Sequence, residues 1–134
     1  MSYMLDTNIC IYAIKNRPPQ VLRRIRENLE SGLCISAITL AELRHGVEKS
    51  AYPEKNASAL LRFLSILDVA PFEEAAAVEY GKIRAFLQSQ GTPIGPLDTL
   101  IAAHAKAENM TLVTNNVREF ARVPDLRLEN WAEA

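Results

Sequence analysis

The chain reads as an α/β protein: a three-layer sandwich with a central parallel sheet of four to five strands flanked by helices. Three observations lead there. Short apolar runs of strand length alternate with stretches whose apolar residues recur at helical spacing. The joints between them are brief and marked by Pro and Gly. The first apolar run, Tyr3-Met4-Leu5, ends in a carboxylate, Asp6, and passes at once into the helical pattern of Ile9, Tyr12 and Ala13. Strands separated by helices favour a parallel sheet covered on both faces.

Taken in order, residues 2–5 form the first strand and 7–15 the first helix. Pro18 opens a second helix that runs to about Ser31, with Gly32 as its stop. Leu33-Cys34-Ile35 is a buried strand. Residues 39–49 and then 53–66 are helices, followed by a third strand at 67–70. The helix at 73–90 carries Ala76, Tyr80, Ile83 and Leu87 on one face. After a loop at 91–95, a helix runs from Pro96 to about Glu108. A fourth strand at 111–114, a helical turn around 117–121 and a last strand at 126–128 complete the chain. No repeat or linker interrupts it, so residues 1–134 read as a single domain.

Composition narrows the class. With 134 residues, 49% of them hydrophobic and 23% charged, the chain is expected to bury a real core rather than stay disordered. No basic segment followed by an apolar run marks a signal peptide, and no apolar stretch is long enough to cross a membrane, so a cytoplasmic protein is expected. Cys10 and Cys34 each sit in an apolar run and read as buried free thiols. A net charge of −1 neither identifies nor excludes a nucleic-acid partner. Arg17, Arg23, Arg24 and Arg26 form the densest basic cluster, either a phosphate-gripping surface or a solvated helix face.

Asp6 lies just past the carboxyl end of a strand, where ligands gather in open α/β sheets, although strand-ending Asp residues also serve as helix N-caps. Glu42 flanks the apolar stripe Leu40, Leu43, Val47. Gly46, four residues on, accepts a helix-interior penalty of about 1 kcal/mol and leaves space beside the carboxylate; an ordinary surface Glu is the plain alternative. Asp98 falls in the first turn of the helix that Pro96 opens, as a rigid cation ligand or as a charge favourable to the helix dipole. After the fourth strand come Asn115, Asn116 and Glu119. The two amides can cap the next turn, and Glu119 can face solvent or turn back toward Asp6, since adjacent strand ends lie about 5 Å apart. Gathered carboxylates repel one another. A hard divalent cation, Mg²⁺ or Mn²⁺, relieves that repulsion, and it can also polarise a phosphodiester and activate water.

In order and context these residues resemble the PIN-domain ribonucleases, in particular the VapC toxins of type II toxin–antitoxin pairs. Met4-Leu5-Asp6-Thr7-Asn8 resembles the family's opening motif, and Ala41-Glu42-Leu43-Arg44-His45-Gly46 its second. Gly91-Thr92-Pro93-Ile94-Gly95-Pro96-Leu97-Asp98, with Ile101-Ala102 and His104-Ala105, is similar to the third. Val113-Thr114-Asn115-Asn116 with Glu119-Phe120 is similar to the last. The third and fourth segments are most similar to the enteric-type subgroup. The resemblance implies a PIN-like fold and an Mg²⁺-dependent endoribonuclease (Mn²⁺ a possible substitute), with tRNA as substrate, cut in the anticodon stem-loop of the initiator. It implies an acidic pocket of Asp6, Glu42, Asp98 and Glu119, with Asp6 and Asp98 holding the metal directly. Glu42 and Glu119 would hold its water or orient the attacking one. Thr7, Asn8, Asn115 and Asn116 would position carboxylates or the scissile phosphate. Asn116 departs from the Asp that many PIN domains carry there, which leaves Glu119 as the fourth acid. Partners implied are a second copy of the chain and a VapB-type antitoxin whose C-terminal segment covers the pocket. Promoter DNA would be met only through that antitoxin.

Other classes fit less well. An aspartyl-phosphate enzyme usually has a second Asp two residues after the first, and that place is Asn8. A zinc site from Cys10, Cys34, His45 and His104 lacks ligand spacing. His45 reads as a surface residue, and His104, 240° round its helix from Asp98, as structural or exposed. The remaining rival is a protein that keeps the fold and binds RNA without cutting it.

Overall fold

The computed structural model describes residues 2–133. Five short strands form one sheet: β1 (Tyr3–Leu5), β2 (Leu33–Ser36), β3 (Asp68–Ala70), β4 (Thr111–Val113) and β5 (Leu128–Glu129). Their order is β3-β2-β1-β4-β5, and every pairing is parallel. The helices are α1 (Thr7–Lys15), α2 (Pro19–Glu27), α3 (Ala37–Glu48), α4 (Pro53–Leu64), α5 (Glu74–Ser89), α6 (Pro96–Ala107) and α7 (Val117–Phe120).

Period-2 alternation in the strands builds two cores. Leu5, Leu33, Ile35 and Val113 face α1 to α4 and join Ile9, Val21, Ile25, Leu43, Leu60 and Phe63. Met4, Cys34 and Leu112 point the other way, onto Ile83, Leu87, Ile101, Ala102, Ala105 and Phe120. The small residues of α6 let it lie close on the sheet and on α5. Ala76, Ile83 and Leu87 are buried as their spacing predicts, with Tyr80 at the margin. Both cysteines are free and buried. No helix among the described residues is long and apolar enough to cross a membrane.

Several element ends differ from the sequence expectation. The second helix does not reach Ser31. It stops at Glu27, and a separate 3-10 turn at Leu29–Ser31 leads to Gly32, whose φ of 86° reverses the chain into β2. The third helix begins at Ala37 rather than 39, because Ser36 caps it by accepting from the Ile38 amide at 3.0 Å. The last strand is at Leu128–Glu129, two residues on from 126–128.

Just past that strand is Trp131, the largest fully buried side chain. Its indole donates to Glu129 Oε1 at 3.0 Å and meets Tyr3 edge-on. Arg24 closes the group, 5.3 Å above the indole and 3.6 Å from Glu129. That contact removes Arg24 from the basic cluster: Arg17, Arg23 and Arg26 are exposed, but Arg24 is a staple for the C-terminal segment.

Strand order reverses direction between β1 and β4, with β2 and β3 laid to one side of β1 and β4 and β5 to the other. This is the switch point at which doubly wound sheets open a crevice at their carboxyl ends.

Candidate active site

That crevice collects the four acids. Asp6 ends β1: its amide donates to Val113 O at 3.0 Å, and its side chain caps α1 by accepting from Ile9 N at 2.9 Å. It is 5% exposed, and burial pushes its pKa from 3.8 up to about 6 against the lowering effects of the Thr114 hydroxyl and the Ile9 amide; nearby Glu42 raises it further. Asp98, in the first turn of α6, is also lifted to about 6, first by burial and then by the charges of Glu119, Asp6 and Glu42. Both carboxyls therefore lie in a field that is short of positive charge.

The other two acids are held by neighbours. Glu42 Oε1 accepts from the Thr7 hydroxyl at 2.6 Å, so the residue after Asp6 steers the carboxylate of α3. Glu119 accepts a short hydrogen bond from the Asn116 amide on one oxygen and the Gly95 amide at 3.4 Å on the other. Asn116 in turn donates its backbone amide to Thr114 Oγ1 at 2.9 Å, leaving the Thr114 proton for Asp6. Asn8 is exposed at the start of α1, and its side chain has no hydrogen bond among the described residues. Asn115 is turned aside, donating to the Tyr12 hydroxyl at 3.1 Å and accepting from Asn130 at 3.4 Å.

Sequence reasoning missed three parts of this site. Thr114 supports Asp6 from the end of the neighbouring strand. His104 is fully buried, with Nδ1 2.8 Å from the Ser36 oxygen that caps α3. It thereby ties the helix carrying Asp98 to the helix carrying Glu42, and burial lowers its pKa. The third is the apolar groove into which the space expected at Gly46 opens. A Cβ at Gly46 would meet nothing within 4 Å. The groove is lined by Ile11, Ile14, Leu43, Val47 and Leu60, with Glu42 on its border.

The donor set suits a hard divalent cation: oxygen ligands only, two of them, buried Asp6 and half-buried Asp98, carboxyls that resist ionising without a counter-charge. Among the described residues no three acidic, His or Cys side chains are drawn together into a ready ligand cluster. Mg²⁺ does not require one, since it usually takes one or two carboxylates and keeps its water.

The chain is similar to known proteins over nearly its whole length. The PIN-domain family profile matches residues 3–126. The tRNA(fMet)-specific endonuclease VapC of Shigella flexneri is 50% identical over 133 residues, covering 98% of this chain and 99% of the relative. The structure of VapBC2 from Rickettsia felis, bound to a DNA fragment from the promoter, has a TM-score of 0.94 at 48% identity and covers 98% of this chain and 99% of that one. DNA-bound VapBC from Salmonella typhimurium gives 0.92 at 47% identity, over 98% of each chain.

Proposed function

The chain belongs to the PIN-domain ribonucleases of the VapC kind, and from that membership we propose that its acidic crevice hydrolyses RNA with Mg²⁺ held by Asp6 and Asp98, Mn²⁺ serving in its place. One observation carries the reading: four acids from four separate elements face one crevice at the β1–β4 switch point, and two of them, Asp6 and Asp98, are pushed up to about 6. The bound cation would supply positive charge to the phosphate oxygens and make water a better nucleophile.

The chain's own groups divide the remaining tasks. Thr7 fixes one oxygen of Glu42 and leaves Oε2 to take a proton from the attacking water. Asn116 and the Gly95 amide fix Glu119 across the crevice. Asn116 is thus a positioning residue for the fourth acid, not a weak substitute for it. The free amide of Asn8 donates to a phosphate oxygen.

By analogy with the Shigella relative, the substrate is tRNA, with the initiator species first in line, and the outcome is arrest of translation in the cytoplasm. The partner is a VapB-type antitoxin. The apolar groove that borders Glu42 supports this, since an amphipathic helix laid there brings the following segment over the carboxylates. Promoter DNA would be reached through that antitoxin. A homodimer is supported by Val78 and Phe86, large apolar side chains exposed on α5.

The test is cleavage of labelled initiator tRNA with EDTA, then with Mg²⁺ or Mn²⁺ restored. Cutting that stops in EDTA and returns with either ion is expected. Cutting that persists in EDTA contradicts the reading.

A further inference from the structure

Residues 93–96 form a wall with the acids on one border and a second cleft on another. The wall is stiffened by Pro93 and Pro96 and tied at both ends. Pro93 O accepts from Arg122 at 3.2 Å, and Gly95 O accepts from the Thr99 hydroxyl at 2.8 Å. At Gly95 it touches the catalytic side: the amide meets Glu119, and a Cβ would lie 3.8 Å from Asp98 Oδ2. Pro93, Ile94 and Pro96 also close a cleft of about 170 Å³, whose opposite bank is Tyr80, Arg84 and Gln88 of α5.

Arg84 is the notable member. It is exposed, its Nη1 donates to the Tyr80 hydroxyl at 2.8 Å, and its guanidinium lies 5.9 Å from the Tyr80 ring centre. No carboxylate among the described residues pairs with it, so its charge stays available at the rim. We infer that this cleft is an RNA subsite that takes the nucleotide next to the scissile phosphate, with its base against Tyr80 and its phosphate on Arg84. The inference rests on the nuclease reading above.

Three features favour that occupant. The cleft falls below the roughly 300–1,000 Å³ of pockets for whole small molecules, which suits a single base. A guanidinium fork matches phosphate oxygens, and an aromatic ring receives a base without reading its sequence. The 93–96 wall sets the cleft beside the acids, and Gly95 offers no side chain to obstruct a strand crossing it.

The experiment compares wild type, Arg84→Ala, Arg84→Lys, Tyr80→Phe and Tyr80→Leu, with thermal unfolding as a check on folding. Binding of labelled tRNA is measured against salt in an Asp98→Asn background, and KM and kcat are measured with Asp98 intact. Arg84→Ala should weaken binding and raise KM about tenfold, leave kcat within about twofold, and flatten the salt slope by about 0.7. Arg84→Lys should restore the slope and part of the affinity. Tyr80→Leu should weaken binding about fivefold without changing the slope, while Tyr80→Phe, which keeps the ring but loses the hydroxyl that holds Arg84, should weaken it less than Tyr80→Leu does.

Unchanged affinity and slope in a folded Arg84→Ala protein would overturn the subsite. So would an Arg84→Ala defect confined to binding an antitoxin peptide, which would assign the cleft to a protein partner. The two readings fail separately. If the wild type never cuts RNA, the nuclease assignment falls. If it cuts and Arg84→Ala binds and cuts equally well, only the subsite falls.

Discussion

Replacing Asp6 with Asn should stabilise the metal-free protein, and only above a definite pH. The Asp6 carboxyl has a pKa of about 6 when folded, against 3.8 ordinarily, chiefly because burial disfavours its charge. Between those values the folded state holds a proton that the unfolded chain has lost, so stability falls as pH rises from about 4 to 6 and stays low above that. A displacement of this size corresponds to about 3 kcal/mol. Asn removes the charge while keeping an oxygen to accept from Ile9 N, so the helix cap survives. At pH 7.5 in EDTA, Asp6→Asn should therefore gain up to about 3 kcal/mol, or roughly 10 °C in Tm. At pH 3.5, where the folded carboxyl is protonated and most of the unfolded chains hold the proton as well, the two proteins should melt nearly together. Thermal unfolding at pH 3.5 and 7.5 checks this. A variant that is less stable at pH 7.5, or shifted equally at both, would refute the claim that Asp6 is a buried, uncompensated charge.

With the cation held by Asp6 and Asp98 as proposed, its binding would displace their protons, so cleavage at limiting Mg²⁺ should rise with pH through about 6 and level off above it; a flat pH–rate profile from 5 to 8 would count against these ligands. Glu119→Gln should lower cleavage more than Asn116→Ala, because Asn116 acts through Glu119, and kcat for the two variants orders them. His104→Ala should cost about 2–4 kcal/mol in urea unfolding through the cavity and the lost Ser36 contact, and His104→Asn should recover part of it. Arg24→Ala should cost about 1 kcal/mol without altering the salt slope of RNA binding, since its charge is engaged with Trp131 and Glu129.

The acids were legible in the sequence because each sits at a punctuated place: Asp6 after an apolar strand, Asp98 two residues past Pro96, Glu42 beside a helical stripe. Their partners were not. Thr7 reaches Glu42 across 35 residues and His104 reaches Ser36 across 68, and no periodicity reports a pairing between elements. His104 lies 240° round the helix from Asp98, which correctly removes it from the crevice but says nothing of what it touches instead. Ser36 did carry a readable signal, a serine ahead of a helical pattern, and reading it as an N-cap would have moved the start of α3 from 39 to Ala37. Trp131 gave none: a lone aromatic after the last strand has no repeat to place it, and only the packing of Tyr3 and Arg24 reveals its role. The spacing of the arginines in α2 likewise could not show that Arg24 turns toward the C-terminal segment while Arg23 faces out.

The central claim is that Asp98 belongs to a cation-dependent RNA-cutting site, and a single-turnover measurement on labelled initiator tRNA tests it most directly. Wild type and Asp98→Asn are compared at equal folded concentration in Mg²⁺. The account predicts a rate at least about a hundredfold lower for Asp98→Asn, with the variant folded and as stable as its parent or more so. Cleavage by Asp98→Asn at the wild-type rate would contradict it.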